Sequence, residues 1–590
     1  MTKRSLCAVV ALLVLAGLAV ASSASAGATP AASGRFIVIA RSSSDYAAMH
    51  SNLSSAAQKV VLSMPQINTD VVVGNVDVAS LSSNSHVMRV IPDRIETIAP
   101  PTQKADLFGA SKTKTAIRGG LTTAKEKVGG DPALTLPGLM WNLHRINAVG
   151  AWQKTIGAGE VTVGVADTGL DYTHVELQNQ VTQVEDFTTT EDPVICDPSD
   201  HRLAHQLGAP ADDLDFNGHG SWIGGNIAGE LNGTGINGIA PGIKLVSLKI
   251  SGWCGSAYDS TILNAFLWAA DHGLDVVSIS FGGYLDRSDS NQDALYNLYV
   301  STVQYAHDLG TTIVAAAGNE HTRIGAGGQV ISHGILDIPP GGTDYFGLYE
   351  LPGGVPGVVD VSATGNVVKG TSANCPDDAL AAGGFTWCKP ASDRHQPAGV
   401  GKKNQLTYYS NYGPRIDVAG PGGARKFNVP AADRGGTPGW PYTGINSLFG
   451  GTSVSDGYHA WEAFSITSNW AQEIPCFTLN DQPEFPDDQC YSIIQGTSMA
   501  TPHASAVVAL IASAHPEMRH DVDALVAKLK SSAQKVTGNK TGKMSATDTS
   551  NTDLTNLPCT FGYCHLNNNQ PVPDSEAYGA GLVDAAAAVR

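Results

Sequence analysis

The pattern of apolar and polar residues changes at about residue 139. Beyond that point, short apolar runs rich in β-branched residues alternate with longer segments of helical periodicity, such as 260–273 and 293–310. The runs indicate strands buried on both faces: EVTVGVAD (160–167), KLVSLKIS (244–251), DVVSISF (275–281) and TTIVAAAG (311–318). This alternation predicts an α/β domain over residues 139–590, with a doubly wound, mainly parallel sheet between helices.

The residues before 139 follow a different pattern and predict a small α+β unit within residues 27–98. RFIVIA at 35–40 and HVMRVI at 86–91 have strand character, and residues 44–63 allow a helix between them. Residues 99–138 lack apolar periodicity and are rich in Pro, Gly, Thr and Lys. That composition predicts a linker that contains a site of proteolytic maturation.

The first 26 residues contain the parts of a secretion signal. Lys3 and Arg4 precede an apolar run, and Ala24-Ser25-Ala26 has the small-residue pattern of a cleavage site. The apolar run is short for a transmembrane helix, and no later segment is long and apolar enough to span a bilayer. The sequence therefore predicts a secreted, extracellular protein without a membrane anchor once the signal is removed.

The cysteines of the chain predict disulfide bonds. Of nine cysteines, Cys7 lies in the signal, and the even number that remains predicts disulfides in an exported protein. Near neighbours are expected to pair: Cys375–Cys388, Cys476–Cys490 and Cys559–Cys564, which leaves Cys196–Cys254. A zinc cluster is the alternative, but no C-x-x-C pair is present.

Stretches rich in Gly, Pro, Asp and Asn predict long surface insertions at 186–215, 365–405, 421–490 and 536–575.

The net charge of −18 is unevenly distributed. Residues 1–139 contain 13 Lys/Arg and 8 Asp/Glu, a net of +5, so the remaining residues carry −23. A strongly acidic body argues against nucleic acids and anionic membranes as partners.

The tripeptide Gly-Thr-Ser occurs twice, and the two serines have different surroundings. Ser498 opens an apolar helix of small side chains, with Pro502 expected in its first turn, so the N–H groups of the helix start lie near the hydroxyl. Ser453 lies in a Gly/Pro-rich stretch and is expected to be a loop residue. A nucleophilic serine also needs a base, an acid that orients the base, and donors for an oxyanion.

Three segments supply candidates for these partners. Asp167 ends an apolar run before a Thr-Gly turn, His219 stands between two glycines at a helix start, and Asn319 follows a strand and a glycine. Each has a structural explanation when taken alone: a turn-capping aspartate, a core histidine and an ordinary Gly-Asn turn.

Together these motifs resemble those of the subtilisin-like serine peptidases, or subtilases. VADTGLD, NGHGSWIGG, AAAGN and GTSMATPH resemble the aspartate, histidine, oxyanion and serine motifs of that family, and the order Asp, His, Ser is also the family's. The α+β unit at 27–98 resembles the family's inhibitory propeptide. The sequence departs from the pattern near His219, where Trp222 replaces a usual histidine and Gly224 a common alanine.

The resemblance implies a subtilisin-type fold and a role for each residue. Ser498 would attack a peptide carbonyl, His219 would transfer its proton, Asp167 would orient the imidazole, and Asn319 would bind the oxyanion. Extended substrate would pair with the strand edge at Ser280, Phe281 and Gly282. The expected partners are protein or peptide substrates and the chain's own propeptide, and the enzyme would be a monomer that requires no cofactor. The resemblance also allows a structural calcium ion, which Glu176 and Asn232 would bind.

Three alternatives stand beside this interpretation. A secreted binding protein on an inactive subtilase fold would lack hydrolysis. An esterase with a nucleophile elbow needs G-x-S-x-G, whereas residues 496–500 are GTSMA. A nucleotide-binding enzyme could use GTGING at 233–238, but this sequence precedes a strand instead of following one.

Overall fold

The structure is a computed structural model that describes six parts of the chain. These are residues 34–98 apart from 56–58 and 75, 140–332 apart from 192 and 197–199, 344–365, 406–423 apart from 408, 463–536 apart from 475, 477–485 and 487, and 572–590. The signal at 1–26, the linker at 99–138, two predicted disulfides (375–388 and 559–564) and Ser453 lie outside the described residues.

The N-terminal unit is a four-stranded antiparallel sheet with two helices and a trailing strand. Its elements are β1 (Arg35–Ala40), α1 (Ser43–Ser55), β2 (Lys59–Met64), β3 (Thr69–Val73), α2 (Val78–Ser82), β4 (Val87–Pro92) and β5 (Ile95–Ile98). The sheet order is β2-β3-β1-β4. The predicted strands at 35–40 and 86–91 are confirmed, and the predicted helix at 44–63 is confirmed only over its first part, because its last residues form β2.

The larger part of the chain forms a three-layer α/β domain. Its strands are β6 (Thr162–Asp167), β7 (Val181–Asp186), β8 (Lys244–Lys249), β9 (Ser256–Tyr258), β10 (Val276–Ile279), β11 (Phe281–Leu285), β12 (Thr312–Ala316), β13 (Tyr349–Leu351), β14 (Val359–Thr364), β15 (Val418–Pro421), β16 (Ala463–Ile466) and β17 (Tyr491–Ile494). Its helices are α3 (Trp141–Arg145), α4 (Ala148–Ala151), α5 (Asp200–Leu207), α6 (His219–Ala228), α7 (Asp259–Asp271), α8 (Ser290–Asp308), α9 (Thr497–Ala514), α10 (Val522–Ser532), α11 (Asp574–Tyr578) and α12 (Ala585–Ala588).

Seven of these strands form one parallel sheet in the order β15-β14-β12-β10-β6-β8-β7. Successive strand residues belong to different cores: Val276 packs with α6 and α9 on one face, and Val277 packs with α7 and α8 on the other. Because both faces are covered, the strands are continuous apolar runs, as the sequence predicts. None of the helices in the described ranges combines the length and apolar character that crossing a membrane requires.

The N-terminal unit packs on the start of helix α7 through buried polar contacts. Nε of Arg35 contacts Oδ2 of Asp93 at 2.6 Å, and Asp93 accepts the Ser260 N–H at 3.1 Å. Strand β5 then runs between β9 and β11 and pairs antiparallel with both. This short sheet connects the N-terminal unit to the edge where substrate is expected.

Two of the four predicted disulfides lie within the described residues, and both are present. The Cα atoms are 5.5 Å apart in Cys196–Cys254 and 4.9 Å apart in Cys476–Cys490. The first connects the predicted insertion at 186–215 to the loop after β8, and the second closes the end of the predicted insertion at 421–490.

Part of the insertion at 421–490 differs from the predicted surface loop. Strand β16 pairs antiparallel with β17, and residues 465–468 are buried against helix α6. Gly225 permits this contact, since a Cβ there would lie 2.5 Å from Cγ1 of Ile466. Similarly, the predicted insertion at 186–215 contains helix α5. The residues of β16 pair with residues 25 to 31 positions further along the chain, from Ile466↔Tyr491 to Ala463↔Ile494, so no local pattern reveals the burial of this strand.

Candidate active site

Asp167 and His219 form a buried pair at the carboxyl edge of the sheet. Strand β6 ends at Asp167 and helix α6 begins at His219. Nδ1 of His219 lies 2.8 Å from Oδ1 of Asp167, and both side chains are almost fully buried. A carboxylate only accepts hydrogen bonds, so the proton is on Nδ1 and Nε2 is left as the basic nitrogen.

Asp215, which the sequence analysis missed, holds this pair in place. Its carboxylate accepts hydrogen bonds from the N–H groups of Asn217, Gly218 and Ser221 and from the hydroxyls of Thr168 and Ser221, at 2.7–3.0 Å. Burial raises the pKa of Asp215, and hydrogen bonds from Gly218 and Ser221 oppose that rise. The residue thus joins the turn after Asp167 to the start of helix α6. The sequence signal that could have identified Asp215 is its position four residues before His219, where an aspartate can accept hydrogen bonds from the N–H groups at the start of a helix.

Close packing brings the histidine helix onto the aspartate turn. A Cβ at Gly220 would lie 2.1 Å from the carbonyl oxygen of Gly169, so only glycine fits there. The departures at Trp222 and Gly224 are accommodated by packing. Trp222 is fully buried, and a Cβ at Gly224 would lie 2.7 Å from a methyl group of Leu170. These positions therefore shape the core beneath His219.

Ser498 is the second residue of helix α9, which packs against helix α6. Its hydroxyl is buried and has no hydrogen-bond partner within the described part of the chain. The prediction that Pro502 lies in the first turn is wrong, because the helix begins at Thr497 and includes Pro502 as its sixth residue. Pro502 has no N–H to offer the carbonyl of Ser498, and the Ser280 hydroxyl donates to that oxygen instead, at 3.4 Å.

Asn319 lies beside the start of helix α9. Its Oδ1 accepts hydrogen bonds from the N–H and the hydroxyl of Thr497, both at 2.9 Å. These contacts fix the amide orientation, so Nδ2 is directed to the same side as the Ser498 N–H. Nδ2 of Asn319 and the main-chain nitrogen of Ser498 both lie within 3.8 Å of the position that a Cβ atom would take at Gly496.

Ser280, Phe281 and Gly282 lie at the edge of the cleft, and β11 begins at Phe281. Phe281 pairs with Ile98 and Gly282 with Thr97, so strand β5 occupies this edge. Beside it is a pocket lined by residues 280–284 together with Ala316, Gly318, Glu320, Glu350 and Leu351. The sequence analysis missed Glu350, which follows no recognisable motif.

The candidate calcium residues are adjacent but are contacted by N–H groups. The carboxylate of Glu176 accepts from the Ile236 N–H at 3.2 Å and from the Asn232 amide at 3.5 Å. A Cβ at Gly235 would lie 1.9 Å from Oε1 of Glu176, so the GTGING loop wraps around the carboxylate. Calcium remains a prediction.

Comparison with known proteins places this geometry in a family. The model of the subtilase family matches residues 158–563, which is well over half of the chain and includes Asp167, His219, Asn319 and Ser498. The chain belongs to the subtilase family.

Individual subtilases resemble the chain over part of their length. A thermophilic serine proteinase from Bacillus sp. (strain AK1) is 33% identical over 170 residues, 29% of this chain and 35% of that protein. Fervidolysin from Fervidobacterium pennivorans is 26% identical over 325 residues, 52% of this chain and 38% of that protein. The matches thus span less than half the length of these relatives.

A solved structure shows the same fold. The epidermin leader peptide processing serine protease of Staphylococcus aureus superposes with a TM-score of 0.55 at 15% identity, over 94% of this chain and 97% of that chain. The predicted subtilisin-type fold is confirmed.

Proposed function

We propose that this chain is a secreted serine endopeptidase that hydrolyses peptide bonds through an acyl-enzyme. Ser498 Oγ attacks the carbonyl carbon, Nε2 of His219 takes the hydroxyl proton and then gives it to the leaving amine, and Asp167 stabilises the imidazolium. The observation that supports this most strongly is the buried 2.8 Å contact between Asp167 and His219, on a helix packed against the one that bears Ser498.

Asn319 and the Ser498 N–H are proposed to bind the oxyanion. Donors whose orientation is fixed before reaction stabilise developing negative charge without reorganisation. The two hydrogen bonds from Thr497 to Oδ1 of Asn319 provide such a fixed orientation. The substrate is proposed to pair with β11 through main-chain hydrogen bonds, as β5 does.

A fluorophosphonate probe and a fluorogenic peptide would test the assignment of Ser498 as the nucleophile. The wild type is expected to react and to cleave, and Ser498→Ala to do neither. Ser453→Ala removes the other Gly-Thr-Ser hydroxyl and is expected to behave as the wild type. Labelling of Ser498→Ala would refute the assignment. Absence of labelling and cleavage in the wild type would favour a binding protein.

The N-terminal unit is proposed to act as an intramolecular inhibitor that is removed by self-cleavage. Strand β5 occupies the β11 edge and is fixed on its other side by β9, where the Ile98 N–H also donates to the Gly255 carbonyl at 2.9 Å. Intact mass of the secreted product is expected to show loss of residues up to a point within 99–138. Ser498→Ala is expected to keep these residues, and a matured Ser498→Ala product would contradict self-cleavage.

A further inference from the structure

The pocket beside β11 contains a buried carboxylate without a partner. Glu350 is 2% exposed, and neither of its carboxylate oxygens has a hydrogen-bond partner among the residues that the structure describes. It lies on β13 opposite Tyr284 of β11 in the antiparallel register. Glu350 also forms part of the wall of a cavity that adjoins the proposed substrate strand.

A second carboxylate, Glu320, forms another part of the same wall. Its Oε2 accepts hydrogen bonds from the Tyr284 hydroxyl at 2.6 Å and from the Asn411 amide at 3.2 Å. These donors hold Glu320 in place but bring no positive charge. The pocket thus brings together two acidic side chains, of which Glu320 is held by two neutral donors.

The positive charge of Arg415 acts on Glu350, but its guanidinium is hydrogen-bonded to other groups. The Arg415 guanidinium donates to Asp417 at 2.7 Å and to the carbonyl oxygens of Val355 and Val358 at 3.1 and 2.6 Å. A third carboxylate, Asp360, lies close to Glu350, since a Cβ at Gly353 would lie 2.9 Å from Oδ1 of Asp360 and 3.1 Å from Oε1 of Glu350. The group of acids is therefore short of positive charge.

The shortage of nearby positive charge affects the protonation of Glu350 and Asp360. Burial, and after it the nearby Asp360, raises the pKa of Glu350 well above its usual range, and Arg415 only partly opposes the rise. Burial also raises the pKa of Asp360 to about 7. A buried carboxylate without donors is costly, and a cationic ligand would remove that cost. Among the described residues, no group of three His, Cys, Asp or Glu side chains could hold a metal ion, so an organic cation is the better candidate.

The position of the pocket identifies which part of a substrate would enter it. Its walls include Ser280, which donates to the Ser498 carbonyl, and Gly318, which precedes Asn319. A side chain in the pocket would therefore belong to the residue whose carbonyl reaches Ser498 and Asn319.

We propose that this enzyme cleaves after lysine or arginine, and that Glu350, assisted by Glu320, binds the cationic end of that side chain. This inference rests on the proposed peptidase function and deepens it by naming the substrate class. Lysine and arginine also have long unbranched stems, which suit a pocket walled by the main chain of a strand.

The test uses fluorogenic peptides that differ only in the residue before the scissile bond. Norleucine has the straight chain of lysine without the ammonium group. The matured wild type is expected to show a kcat/KM for the lysine peptide about 100-fold above that for the norleucine peptide, since a buried charge is paired only in the first. In Glu350→Gln this ratio is expected to fall at least about tenfold. In Glu320→Gln it is expected to fall less, because Tyr284 and Asn411 already bind that carboxylate.

The ratio of the two rates does not depend on how much of a variant folds, so partial misfolding of Glu350→Gln cannot imitate the effect. Glu160→Gln, at an exposed position, is the matched control and is expected to keep the wild-type ratio. Equal rates for lysine and norleucine in an enzyme that reacts with fluorophosphonate would overturn this inference alone. An unreactive wild type would instead overturn the proposed function.

Discussion

Asp215 and Glu350, two buried carboxylates on different sides of the cleft, differ in the hydrogen bonds that they accept. On the histidine side, formed by Asp167, Asp215 and His219, Asp215 accepts five hydrogen bonds from the turn and the helix that it joins. On the pocket side, formed by residues 280–284 with Glu320 and Glu350, the Glu350 carboxylate accepts none from the described residues.

This difference separates two uses of a buried charge. A buried carboxylate whose oxygens accept hydrogen bonds from the protein itself fixes the positions of the donors. Its removal lowers the free energy of unfolding. A carboxylate that is left unfilled destabilises the empty protein and is tolerated where a ligand completes it. We therefore assign Asp215 a role in geometry, whereas the role proposed for Glu350 is recognition of a ligand. The following predictions test that distinction, from the largest expected effect to the smallest.

Asp167→Asn is expected to lower kcat by about 10,000-fold, because an amide favours the wrong imidazole tautomer at His219. Turnover of a fluorogenic peptide by protein of equal concentration measures this. The exposed Asp308→Asn serves as control and should leave kcat unchanged. A loss below tenfold would show that Asp167 does not orient the base.

Asn319→Ala is expected to lower kcat by about 100- to 1000-fold, the range found when the oxyanion donor of subtilisin itself is removed. KM should change little, because the interaction develops only in the transition state. The exposed Asn297→Ala is the control. A raised KM with normal kcat would indicate a role in substrate binding instead.

Asp215→Asn is expected to lower the free energy of unfolding by about 3 kcal/mol, since an amide nitrogen would replace an oxygen that receives N–H and O–H donors. Urea unfolding of the variant and of Asp213→Asn provides a matched pair, because Asp213 lies two residues earlier and accepts from the Tyr172 hydroxyl. If both variants unfold at the same urea concentration, Asp215 does not have the joining role described above.

Buried histidines are expected to make the protein acid-sensitive. Burial lowers the pKa of His174 and His503 to about 3 and that of His321 to about 4. Their folded-state pKa values lie below the unfolded value, so stability is complete above about pH 6.5 and is lost as the pH falls toward these values.

A single replacement can isolate this effect. Between pH 7 and pH 5.5, His503→Gln is expected to lose about 1 kcal/mol less stability than the wild type, because one of the three titrations is absent. Chemical unfolding at the two pH values measures it. His201→Gln, at an exposed position, should follow the wild type. An equal loss in all three proteins would exclude His503 as a source of acid sensitivity.

Calcium removal is expected to have the smallest effect. If Glu176 holds an ion in solution, EDTA should lower Tm by a few degrees, about 2–4 °C for each kcal/mol of binding energy in a domain of this size. Glu176→Gln should then show no response to EDTA. An unchanged wild-type Tm would remove calcium from the description of this protein.

The sequence alone predicted the elements whose signals are local. Strands β6, β8, β10 and β12 are apolar on both faces, and such runs are visible without knowing their neighbours. Asp167, His219, Asn319 and Ser498 each stand in a motif of several residues, so their grouping was predicted, and the structure brings the first two into direct contact.

What was missed depends on contacts between distant segments. Strand β16 is buried only because β17 and helix α6 cover it. Glu350 lies in a strand of three residues, and its sequence neighbours do not reveal that it faces a pocket. The sequence predicts Pro502 in the first turn because proline is common there, whereas Ser280, which lies between β10 and β11, compensates for it inside the helix.

That compensation has a mechanical consequence. The carbonyl of Ser498 accepts a hydrogen bond from Ser280, which adjoins the strand edge proposed for substrate, so we expect a displacement of that edge to shift the start of helix α9. We therefore expect pairing of a polypeptide with Phe281 and Gly282 to affect the position of the Ser498 hydroxyl.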